Sequence, residues 1–296
     1  MKDFIERKMF EIYNDFIKEV DKRDSLCELK SLRFDGEKSP NYHNPLVQML
    51  FLLRYLPAYM VEYYNIYKQV IDKDFLYNFD VLSIGAGCGT DYWGLHYAVK
   101  DSLRTIDTSY IGVDPVDWKY RENLGNSKCR FIYSDINNYR GLKDNFFNVI
   151  IFPKSIGEFS ELDFGVLKNI FKNMKFLSGR LVMISTARKT RKNEDIQRIE
   201  ELKDIIIKNS FLKLENVECY DSNTNNKLEN YCRYFYYPEQ IKKYITNLSS
   251  RCKSREKCPD KYIDREMFDR FPILTTSQIC YQIYYFRDPN WDEIPF

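Results

Sequence analysis

The segment Val81–Asp91, VLSIGAGCGTD, constrains this chain more than any other stretch. An apolar run ends at Gly85, and Gly85, Gly87 and Gly89 then alternate before a helical pattern begins. Glycine has no Cβ, so such a run lets the chain turn tightly and lets a ligand approach the backbone. No Lys-Ser or Lys-Thr pair follows the glycines, which excludes a phosphate-cradling P-loop. The spacing is GxGxG rather than GxGxxG, which weighs against a dinucleotide pyrophosphate site.

The surrounding pattern extends the constraint to the whole fold. Apolar runs recur at 79–85, 109–114, 129–135, 147–153, 180–186 and 211–219, with a last one at 277–288. Between them lie periodic polar segments of helical length, such as DFGVLKNIFKNMKFL and NEDIQRIEELKDIIIKN. This alternation predicts an α/β fold with a mainly parallel sheet and helices on both faces. Upstream, Ile5, Met9, Ile12, Phe16 and Val20 recur at steps of three and four and predict a helix over 3–21. A second helix is expected from Pro45, capped by Asn44 and kinked or divided at Pro57. The chain then divides into a helical arm (1–78), the ligand-binding core (79–219), an insertion (220–275) and a final strand with tail (276–296). The insertion shows no strong period beyond a helix in PEQIKKYITNL and is expected to cover the substrate side.

Three strand ends carry candidate site residues. Asp114 ends the second strand, 29 residues after Gly85; Asp135 ends the third; Phe152 and Pro153 end the fourth. Open α/β sheets bind ligands outside the carboxyl ends of their strands, so these loops converge where a ligand is expected. Each aspartate alone reads equally well as a helix cap or a solvated acid; their succession favours a site. At this point the sequence resembles the class I S-adenosylmethionine-dependent methyltransferases over about 79–219 and the final strand. VLSIGAGCG is similar to that family's first motif, and the resemblance implies that Gly85, Ala86, Gly87 and Gly89 pass beneath the methionine part of the cofactor. It further implies that Asp114, with Pro115 beside it, holds the ribose hydroxyls. Asp135 would contact the adenine amino group and Ile136 its ring, with Phe152 and Pro153 at the fourth strand's exit. Ser83 stands where an acid is often found, which weakens the usual link to the cofactor's amino end. The fold implied is a Rossmann-like, seven-stranded, mostly parallel sheet whose last strand is antiparallel, preceded by the helical arm.

Beyond the cofactor the sequence says less. In FPKSIGEFSELD, the candidate catalytic residues are Glu158 and Lys154 as bases and Ser155 as an orienting hydroxyl. Ser155 and Glu158 serve equally as the start of the next helix. The absence of a (D/N/S)PPY sequence counts against DNA as the acceptor. Trp93, His96 and His43 read as packing or loop residues. A formal net charge of +2 gives no global basic field, so a small molecule or peptide is the expected acceptor. The basic runs at 187–192 and 251–257 leave RNA open as an alternative, and YCRYFYYPEQ (231–240) reads either as a stacking surface or as a covering strand. A catalytically silent binding module is the third reading. No segment reads as a membrane span or secretory signal, and eight scattered cysteines without a CxxC pair predict reduced thiols, no metal site and a cytoplasmic protein.

Overall fold

The computed structural model describes residues 1–31, 40–143, 146–176, 179–187, 192–221, 235–254, 272 and 280–291. The chain forms two compact units. One comprises Met1–Glu62, Trp118–Tyr120 and Leu228–Thr276; the other comprises Tyr63–Asp117, Arg121–Lys227 and Ser277–Phe296.

In the first unit, α1 (Lys2–Asp21) buries the stripe expected of it: Ile5, Met9, Ile12, Phe16 and Val20 are all inside. The ring of Tyr244, on the short α6 (Glu239–Ile245), meets Tyr13 and Phe16 edge-on at 5.4 and 6.1 Å. Helix α2 (Pro45–Asp72) starts at the expected cap, where the Leu46 N–H donates to Asn44 Oδ1 at 2.9 Å. The sequence predicts a kink or division at Pro57, but α2 runs through it as one helix. Proline has no N–H, so the Leu53 carbonyl loses its helical donor. The Tyr237 hydroxyl donates to that carbonyl instead.

The second unit holds a seven-stranded sheet in the order β3-β2-β1-β4-β5-β7-β6. Its strands are β1 (Phe79–Ile84), β2 (Thr108–Asp114), β3 (Cys129–Tyr133), β4 (Val149–Pro153), β5 (Arg180–Thr186), β6 (Lys213–Asp221) and β7 (Cys280–Arg287). All neighbouring pairs are parallel except those made by β7, which is antiparallel to both β5 and β6. The expected seven strands with a reversed last strand are therefore present. Successive side chains on a strand face opposite sides. Leu82, Ile84, Ile150 and Phe152 pack in one core with Phe164, Leu167 and Phe171 of α4 (Glu161–Asn173). Ile199, Leu202 and Ile206 of α5 (Lys192–Asn209) complete it. Helix α3 (Thr90–Lys100) lies close against the last turns of α2, because a Cβ on Gly94 would come 2.7 Å from the Tyr63 Cβ. β1 sits centrally, paired with β2 and β4, so its exit loop is flanked by theirs. Strand boundaries shift by up to three residues from the sequence reading; β3 stops at Tyr133, two residues before Asp135, and β6 runs on to Asp221.

Candidate functional site

The glycine loop joins β1 to α3 with Gly85, Gly87 and Gly89 at φ of 74°, 57° and 90°. This left-handed region is strained for any residue with a Cβ, which is why the turn is written in glycine. The Gly85 and Ala86 N–H groups both donate to the Val113 carbonyl, at 2.8 and 3.2 Å. The loop is thus pinned to the end of β2.

Asp114 sits at that end, buried, and organises two loops at once. Its Oδ2 accepts the Gly87 N–H and its Oδ1 the Val116 N–H, each at 2.8 Å. Arg121 ties the same loops from outside: Nε donates to the Gly87 carbonyl at 3.0 Å and an Nη to the Val116 carbonyl at 3.2 Å. Its guanidinium also lies 5.3 Å from the Phe131 ring centroid. Sequence reading missed Arg121, since nothing local marks its reach back to Gly87.

The remaining cofactor candidates are placed less uniformly. Asp135 caps the single 3-10 turn Ile136–Asn138, its Oδ1 accepting the Asn137 N–H at 2.8 Å, and Ile136 is buried beneath it. Pro115 is exposed and Ala86 buried. Phe152 is fully buried against Phe171 in the core beneath α4, and Pro153 closes β4.

The β4 exit is held from two sides. Lys154 adopts φ of 58°, unusual for a residue with a Cβ. Its N–H donates to Thr186 Oγ1 at 2.8 Å, and its Nζ lies 3.4 Å from the Ala187 carbonyl. The Ser155 hydroxyl donates to the Ile84 carbonyl, and a Cβ on Gly85 would come 2.3 Å from the Ser155 Cβ. Glu158 is exposed at the end of the turn Ile156–Glu158, its N–H donating to the Ser155 carbonyl at 2.8 Å. The structure therefore joins Gly87 to Asp114 and Gly85 to Ser155.

A buried polar cluster lies in the first turn of α3. Asp91 is wholly inside, and the Tyr110 hydroxyl donates to its carboxylate at 3.1 and 2.9 Å. Burial pushes the Asp91 pKa up to about 6, against the opposing influence of the neighbouring Ser83 and Tyr110 hydroxyls and of backbone N–H groups. Among the described residues, Ser83 Oγ nonetheless has no hydrogen-bond partner of acceptable geometry, and neither does the buried Tyr67 hydroxyl. Burial and then the Asp91 charge raise the Tyr67 phenol well above its ordinary value. Asp91 lies two residues beyond the first motif, and its burial depends on β2 and α2.

Among the described residues no group of three His, Cys, Asp or Glu side chains could hold a metal ion, and no helix is long and apolar enough to cross a membrane. Residues 188–191, 231–234 and 255–257, which carry much of both basic runs and of the ring-rich run, lie outside the described residues, as do Cys232 and Cys258. Of the ring-rich run, Phe235 is buried and Tyr236 exposed.

No family model matches the chain, and no curated protein matches it. Solved structures similar to it include methyltransferases. One is a TehB-like enzyme from Corynebacterium glutamicum, with 13% identity, a TM-score of 0.39 and coverage of 75% of this chain and 86% of that one. The plantazolicin methyltransferase BpumL in complex with SAH shows 16% identity, a TM-score of 0.39 and coverage of 93% and 99%. A third, the plantazolicin methyltransferase BamL with a triazolic desmethylPZN analog and SAH, shows 11%, 0.41, 77% and 85%. The strand order of this chain, with β7 alone reversed, is itself the class I methyltransferase arrangement.

Proposed function

We propose that this chain is an S-adenosylmethionine-dependent methyltransferase acting on a small molecule or peptide. The observation that carries the reading is the bond between Asp114, at the end of β2, and the Gly87 N–H of the glycine loop. It gives one acid a fixed position beside a backbone that a ligand can approach closely, at the carboxyl edge of an α/β sheet. When bound, S-adenosylmethionine would supply a methyl group already activated on sulfonium.

The chain's own residues bind and orient. Gly85, Ala86, Gly87 and Gly89 offer backbone; Asp114, beside Pro115, accepts from ribose hydroxyls; Asp135 and Ile136 serve the adenine, and Phe152 and Pro153 support the fourth strand's exit. Ser155 commits its proton to Ile84, so we assign it to holding the glycine loop, with only its lone pairs left to orient an acceptor. Calorimetry with S-adenosylmethionine tests the reading. Asp114→Ala removes the acceptor for both Gly87 and Val116 as well as for ribose. Losing one charge-assisted bond costs about 1.5–3 kcal/mol, so affinity should fall roughly tenfold or more. Parental affinity in Asp114→Ala would sink the ribose assignment.

Transfer needs the acceptor aligned about 3–3.5 Å from the methyl carbon, so positioning comes first. A weakly nucleophilic acceptor also needs a base, and Glu158 is the better candidate because a carboxylate is already basic at pH 7. Lys154 is the second. Glu158→Gln or Lys154→Met should lower turnover by roughly 10²–10⁴-fold if that residue is the base, with cofactor affinity unchanged. If both variants keep parental turnover, proximity alone suffices. Labelled cofactor incubated with separated RNA, protein and metabolite fractions identifies the acceptor. Label in RNA would favour the RNA reading, and no label in any fraction the silent module. The division read from the sequence, with 220–275 as a substrate-side cover, and a cytoplasmic location belong to the same proposal.

A further inference from the structure

Arg121 lies in the connection between β2 and β3, and the cofactor reading gives it no role. Its two carbonyl acceptors nonetheless belong to Gly87 and Val116, the same two residues whose N–H groups Asp114 holds. The N–H and the carbonyl of one residue sit in different peptide planes, joined only through the soft φ and ψ of that residue. Asp114 therefore fixes the plane before Gly87, and Arg121 fixes the plane after it. The pair does the same at Val116. Gly87, at φ of 57°, has the most freedom to lose, because it carries no Cβ to restrict it.

The half-buried guanidinium is itself held in place. It lies over the Phe131 ring of β3, and that ring touches the glycine loop, since a Cβ on Gly89 would come 2.6 Å from it. The two residues after Arg121 are seated by α3, the helix that follows the loop. Trp93 Nε1–H donates to the Glu122 carbonyl at 2.9 Å, and the Tyr92 hydroxyl donates to the Asn123 carbonyl. Trp93, read from the sequence as a packing residue, packs and also anchors this segment. A planar guanidinium presents donors in fixed directions and reaches two carbonyls at once. An ammonium is a point charge on a flexible stem and cannot replace it in that role.

We propose that Arg121 is a positioning residue of the cofactor site, which orders Gly87 and Val116 around Asp114 before the ligand arrives. The proposal rests on the cofactor reading above. Arg121 acts through the direction of its donors rather than through its charge. A loop already ordered in its binding conformation spares the ligand the entropy of ordering it. Asp114 is assigned to the ribose, which S-adenosylmethionine and S-adenosylhomocysteine share, so the ordering serves both compounds alike.

The test is calorimetry of both compounds with the parent, Arg121→Met and Arg121→Lys. Both variants should bind about tenfold more weakly, the order expected from freeing the backbone of roughly one residue. The loss should be equal for the two compounds, which differ by one positive charge at sulfur, and should be the same at low and high salt. A second measurement needs no ligand. The NMR order parameter of the Gly87 N–H should fall from about 0.85 to below about 0.6 in Arg121→Met, while those in α4 and β5 stay unchanged. A general loss of stability would not single out Gly87. Where Arg121→Met does not fold, Arg121→Lys decides, because it keeps the charge but cannot span both carbonyls. Parental affinity in either variant, or a loss confined to one compound, overturns the proposal and leaves the cofactor reading standing. A parent that binds neither compound overturns both.

Discussion

Gly85→Ala is expected to destabilise the sheet-bearing unit by about 2–5 kcal/mol and to abolish cofactor binding. Two costs add. Gly85 has φ of 74°, and a left-handed conformation costs a residue with a Cβ about 1–2 kcal/mol. The new methyl would also lie 2.3 Å from the Ser155 Cβ and 2.8 Å from its Oγ. The Oγ can rotate away, but the Cβ is fixed by its own backbone, so the β4 exit must shift. That shift breaks the Ser155–Ile84 bond, and forced overpacking of this kind costs about 1–3 kcal/mol. A fold with a total of about 5–15 kcal/mol feels such a loss. Two further variants apportion it. In Gly85→Ala/Ser155→Gly the struck atom is gone, so the overpacking part should return while the left-handed strain remains. Gly165→Ala, inside α4 where a Cβ meets nothing within 4 Å, should stabilise by about 0.5–1 kcal/mol. Urea unfolding of the three variants gives the energies. Parental stability in Gly85→Ala would mean that the loop and the β4 exit are not in contact.

What the sequence revealed and what it hid divide by range. The strands, the glycine turn and the place of Asp114 follow from local alternation and punctuation, and all three stand in the structure. The Asn44 cap was legible for the same reason. The continuity of α2 through Pro57 was not, because the replacement donor, Tyr237, lies far along the chain. Ser155 read as a free hydroxyl beside an acceptor; only the pairing of β1 with β4 shows the Ile84 carbonyl taking its proton. Asp135 illustrates the opposite outcome, since it serves as a local cap, the bland reading that its sequence context also allowed. Asp91 was visible just past the glycine run, but its depth is created by β2 and α2. Arg121 had no local signal at all.

Asp91→Asn is expected to make the protein more stable at pH 7.5, by about 1–3 kcal/mol. The sign follows from proton linkage. The Asp91 pKa rises from 3.8 to about 6 on folding, so between those values the folded state holds a proton that the unfolded state has released. Stability from this group is then present in full below about pH 4 and is lost as pH rises through about 6. A tenfold change in proton affinity corresponds to about 1.36 kcal/mol, so the ionised carboxylate costs the folded state up to about 3 kcal/mol at neutral pH. Asparagine has the same shape, is neutral, and can still accept from the Tyr110 hydroxyl. Thermal melts at pH 4.5 and 7.5 read the difference. It should be large at pH 7.5, at about 2–4 °C per kcal/mol for a chain of this size, and should shrink at pH 4.5, where the parent is largely protonated. A less stable Asp91→Asn at pH 7.5 would mean that the Tyr110 and backbone bonds outweigh desolvation.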